Sequence, residues 1–96
     1  MALEIVWTPR AKRGYDDIIE YLTKNWTDRE VGNFVKETFT FLGHLSEYPE
    51  LLRASNKKNV RRGPMNKHTI LTYRIKPRKK QIQLINIRAA KQKPLK

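Results

Sequence analysis

The chain has 96 residues, 39% hydrophobic and 31% charged, which is enough for one modest core and too short for a second domain. No apolar run approaches the ~18–20 residues of a membrane span, and the absence of cysteine excludes disulfide scaffolds and thiolate metal sites. Charge is divided unevenly: residues 1–50 carry six Lys/Arg against nine Asp/Glu, whereas residues 51–96 carry fifteen Lys/Arg and no carboxylate.

Such a basic half repels itself, and the usual reason to keep it is a polyanionic partner, either a nucleic acid or a strongly acidic protein. The first residues show no long apolar stretch followed by a small-residue cleavage site, so the cytoplasm is the expected compartment.

In chain order, residues 4–8 (EIVWT) are β-branched and aromatic and stop before Pro9, which predicts a first strand. From Arg10 the period changes. Tyr15, Ile18, Ile19, Leu22 and Trp26 fall on one stripe of an amphipathic helix, with Asp16, Asp17, Glu20 and Lys24 opposite. Residues 27–30 (TDRE) form a capping box that starts a second helix. Its apolar set is Val31, Phe34, Val35, Phe41, Leu42 and Leu45, with Phe39 at the edge of the stripe, and it should fade at Tyr48-Pro49. A linker this short folds the two helices into an αα-hairpin.

Beyond Pro49 the helical period is lost. Leu51 and Leu52 are expected to plug the core, and residues 54–58 read as an exposed loop. Three strands are predicted at 59–62, 68–75 and 81–88, with turns at Gly63-Pro64 and 77–80. In the middle strand Leu71, Tyr73 and Ile75 share one face and Arg74 leaves by the other. In the last strand Ile82 and Leu84 are out of phase with Ile85 and Ile87, implying a bulge or a strand buried on both faces. The expected architecture is α+β, ordered β-α-α-β-β-β: a helical hairpin on a small, mostly antiparallel sheet, spanning residues 1–96 as one domain with a basic tail at 89–96.

The chemistry this permits is narrow. His44 and His68 lie far apart with no second ligand at metal-binding spacing, and the carboxylates needed by a two-metal nuclease are confined to the first half. No metal or other cofactor is expected. The four glycines are isolated, so no phosphate-binding loop exists. What remains is a cation-lined sheet. Arg62, Arg74 and Lys91 are the candidate catalytic or oxyanion-stabilising residues, with His68 and Tyr73 as further candidates. Arg61, Lys67, Arg88 and Lys93 are candidate contacts to nucleic acid or target. Arginine forks match phosphate oxygens, and a lysine crowded by cations has a lowered pKa that suits acid–base work on a phosphodiester. The phase Tyr73 shares with Leu71 and Ile75 also assigns it to the core.

Over nearly its whole length the chain resembles the RelE/ParE superfamily of bacterial toxins from type II toxin–antitoxin pairs, often labelled plasmid stabilisation proteins. The resemblance is carried by Pro9-Arg10-Ala11 after the first strand, Asp17-Ile18-Ile19-Glu20-Tyr21 in helix 1, residues 45–49 (LSEYP), Arg62, residues 68–75 (HTILTYRI) and residues 87–94 (IRAAKQKP). Lys91 stands where that family often has arginine, and Ala89 where it often has aspartate.

The resemblance implies a toxin that arrests growth. RelE-type members cleave mRNA on the ribosome without metal, whereas ParE-type members inhibit DNA gyrase and lack the catalytic set. The long helical hairpin is similar to ParE and the cation density to RelE. It also implies a cognate antitoxin wrapped around the toxin as a hetero-oligomer, and the basic half favours an acidic one. The competing reading is a non-catalytic RNA-binding or ribosome-associated protein, against which the acidic first half argues. A DNA-binding repressor fits less well, because neither helix carries a basic face.

Overall fold

A computed structural model describes residues 2–66 and 69–90. Strand β1 (Glu4–Trp7) leads into helix α1 (Pro9–Asn25) and helix α2 (Asp28–Glu47). Strands β2 (Val60–Asn66), β3 (Thr69–Lys76) and β4 (Gln81–Ala89) follow, with a 3-10 turn at Pro77–Lys79 between the last two. The sheet order is β1-β4-β3-β2, with β1 parallel to β4 and the other pairs antiparallel. The α+β order expected from sequence is the one observed.

Each helix begins where its chemistry allows. Thr8 caps α1 by accepting from Ala11 N at 3.1 Å, and its hydroxyl donates to Leu84 O at 2.7 Å, so one side chain starts the helix and ties it to β4. Pro9 occupies the first turn, where its missing N–H costs nothing. Thr27 and Glu30 form the expected capping box, each accepting from the other's backbone N–H at 3.2 Å.

The core lies between the hairpin and one face of the sheet. Ala11, Tyr15, Ile18 and Leu22 of α1 and Phe34, Leu42 and Leu45 of α2 meet Leu71, Tyr73, Ile82, Leu84 and Ile87 from the sheet. The Tyr15 ring stacks on Phe34 at 5.7 Å and meets the edge of Trp7 at 5.5 Å. Trp7, Trp26, Ile19, Val31, Phe41, Leu52 and Ile75 pack half-buried around this centre. Helix α1 presses directly on β4: a Cβ at Gly14 would collide with Ile87 O.

The structure differs from the sequence expectations at two places. Gly63-Pro64 is not a turn but lies inside β2, which continues to Asn66 through a register shift after Pro64. Arg62 N donates to Arg53 O and Ser55 N to Val60 O, so β2 turns this edge toward residues 53–55. In the alternation that follows, Pro64 directs its nitrogen away from β3, and the ladder loses no donor. Second, only Leu52 plugs the core; Leu51 is 45% exposed. Strand β3 is described from Thr69; residue 68, the expected start of that strand, lies outside the described residues. The phase shift in the last strand is a bulge: Thr72 pairs with Asn86 but Tyr73 with Leu84, leaving Ile85 as the extra residue.

Candidate functional site

Pleating divides the three C-terminal strands into a helix-facing side and an outer side. On the helix side Leu71 and Tyr73 alternate with Arg74, Thr72 and Ile70 on the outer side, and the register assigns neighbouring strands to the same faces. Arg62 opposes Thr72, and Arg88 opposes Ile70. Arg62, Arg74 and Arg88 are all exposed and share the outer face. Arg62 and Arg74 are diagonal neighbours, about 7–8 Å apart, and Arg88 lies one strand beyond β3. Lys76, Gln83 and Asn86 stand among them. Glu4, at the far edge on β1, accepts from Gln81 Nε2 at 3.1 Å.

None of the three arginines is ion-paired among the described residues, where the salt bridges are Lys12 with Asp16 and Lys24 with Glu20, both on α1. Among the described residues their charge is therefore uncompensated. Beside Arg62 an open groove of about 580 Å³ is lined by Arg53, Ser55, Asn56, Pro64 and Ile70. Arg53 comes from the loop paired with β2, a neighbour that sequence reading missed because only the pairing brings it beside Arg62.

Two other candidates stand elsewhere. Arg61 opposes Tyr73 on the helix side, and its guanidinium donates to Leu52 O at 2.7 Å. Tyr73 is wholly buried; its hydroxyl donates to Pro49 O at 2.7 Å and accepts from Leu52 N at 3.3 Å. Burial, above all, pushes this hydroxyl above the usual tyrosine range. The Leu52 N–H and the Arg61 charge pull it down, and Glu50 adds to the rise. With no exposed surface and its hydrogen bonds committed to the chain after α2, Tyr73 holds that chain in place. Lys67, His68, Lys91 and Lys93 lie outside the described residues.

The outer face thus offers fixed positive charge with interspersed amide and hydroxyl donors. Guanidinium groups keep their charge in proteins, so the described part of this face can bind and stabilise anions.

A family model described as the ParE toxin of the type II toxin–antitoxin system parDE matches residues 5–94. The chain belongs to the ParE toxin family. Its fold is similar to the chromosomal ParDE toxin–antitoxin system of P. aeruginosa, with a TM-score of 0.75 and 18% identity over 94% of this chain and 98% of that one. It is also similar to the RelBE2 toxin–antitoxin complex of Mycobacterium tuberculosis, with a TM-score of 0.63 and 16% identity over 93% and 99% of the two chains. The isolated E. coli RelE toxin gives a TM-score of 0.62 and 14% identity over 97% and 89%. No curated protein matches the sequence. Membership of the ParE family makes the chain a toxin of the type II kind and displaces the competing reading of a ribosome-associated RNA-binding protein.

Proposed function

We propose that the chain arrests growth as a non-catalytic inhibitor of DNA gyrase, working in the bacterial cytoplasm and silenced by a cognate acidic antitoxin. The observation that carries this reading is the make-up of the outer face. Its described cations are mainly arginines, unable to shuttle protons, and the one tyrosine candidate is sealed in the core. A face of that kind supports binding better than bond cleavage. Membership of the ParE family supports the same target. The acidic antitoxin follows from charge: a half-chain with fifteen Lys/Arg and no carboxylate attracts an acidic segment and speeds its association.

Two assays test the target. Purified toxin should block negative supercoiling of relaxed plasmid by gyrase, and addition of the antitoxin should restore it. Primer extension on translated mRNA after induction should show no new cuts. Codon-linked cuts with unimpaired supercoiling would replace gyrase by the ribosome and return Lys67, His68, Lys91 and Lys93 to consideration as catalytic groups.

A further inference from the structure

We infer that the outer face of the sheet grips the sugar–phosphate backbone of duplex DNA directly, so that the toxin engages the DNA of its target complex as well as the protein. Arg62, Arg74 and Arg88 share this face and have no carboxylate partner among the described residues. Guanidinium groups fork onto phosphate oxygens, and Thr72 and Asn86, between them in the register, are the neutral donors that protein–DNA contacts use on phosphate and sugar.

What the face lacks selects among polyanions. Single-stranded RNA is recognised largely by stacking bases on exposed aromatic rings. No aromatic side chain stands on the outer face among the described residues; the exposed aromatics, Tyr21, Phe39 and Tyr48, lie on the hairpin side. Four strands at about 4.8 Å spacing make a face roughly 14 Å across. That is wider than either groove of B-DNA, at about 12 and 6 Å, so the sheet lies over the backbone instead of reading bases. Binding should therefore be indifferent to sequence and steeply dependent on salt.

This inference rests on the gyrase reading only for where the cell presents the duplex, and the two can fail separately. The test is fluorescence anisotropy of the full chain with a labelled random-sequence DNA duplex across a salt series, without gyrase. The triple variant Arg62→Gln, Arg74→Gln, Arg88→Gln is compared with Arg13→Gln, Arg29→Gln, Lys36→Gln, which removes the same charge from the helices. The face variant should lower the slope of log K against log salt by about 2.7, at about 0.9 for each phosphate that the protein no longer neutralises. The helix variant should leave that slope nearly unchanged. If the triple face variant unfolds by circular dichroism, Arg62→Gln alone should lower the slope by about 0.9. Equal losses in both triples, no duplex binding, or tighter binding of single-stranded RNA of the same length would each overturn the inference. Gyrase inhibition without duplex binding overturns it and leaves the gyrase reading standing. Duplex binding localised to this face without gyrase inhibition supports it and removes the gyrase reading.

Discussion

Gly14 and Tyr73 carry more of this fold than their neighbours suggest. A methyl group at Gly14 would meet the carbonyl of Ile87, a backbone atom with no freedom to yield. Gly14→Ala should therefore cost about 3 kcal/mol or more in urea denaturation, although alanine is otherwise the better helix former. Nothing in the sequence marks this glycine, because the close approach of α1 to β4 exists only in three dimensions. Tyr73, by contrast, is legible: its phase with Leu71 places it inside, and it is there. Only its hydroxyl's partners, Pro49 and Leu52, are out of reach of sequence reasoning. Tyr73→Phe strands both groups and should cost about 1–3 kcal/mol. Titration gives a second measurement. The buried hydroxyls of Tyr15 and Tyr73 both ionise above the ordinary tyrosine range, so the unfolded chain loses its protons first. Stability from these groups is full below about pH 10, the unfolded tyrosine value, and is lost as pH rises toward the folded values. Thermal unfolding followed from pH 8 to 11 should show a flat region and then a fall, and the fall should be smaller in Tyr73→Phe.

Among the elements, the helices are the most readable, because a 3.6-residue period and a capping box are local signals. Thr27→Ala removes the hydroxyl that accepts from Glu30 N and should cost about 1 kcal/mol, seen as a lower midpoint in urea. The outer-face arginines are half legible. Alternation alone assigns Arg74 to the outside, and the register then adds Arg62 and Arg88. The misreading of Gly63-Pro64 has a different origin. Glycine followed by proline is a strong turn signal, but an edge strand can carry a proline whose nitrogen faces away from its partner. Which strand lies at the edge is a property of sheet order, and here β1 pairs with β4, so that β2 is left at the opposite edge. The bulge at Ile85 shows the opposite case: the break in phase is visible in the sequence, and only its form depends on the pairing.

For the molecule as a whole, the division of charge along the chain becomes a division in space. Most carboxylates ride on the hairpin, and the exposed arginines of β2, β3 and β4 lie on the far side of the sheet. Replacing Arg62 and Arg74 by alanine should therefore relieve growth arrest on induction, with folding stability changed by no more than about 0.5 kcal/mol. Full arrest by the double variant would remove both residues from the site. Such a face also binds its targets less well as salt rises, since exposed charges are screened beyond about 8–10 Å at physiological strength.

Strand β1 is made before both helices, and β4, its neighbour in the sheet among the described residues, is made after the other described strands. The residues that seal the core from that strand, Ile82, Leu84 and Ile87, come with it. A nascent chain consequently has two helices without their full sheet until β4 has been made, and non-local closure of this kind is slow. A cell manufacturing this poison meets its folded form only after β4 has been made, which leaves an interval in which a waiting antidote can be first to reach it.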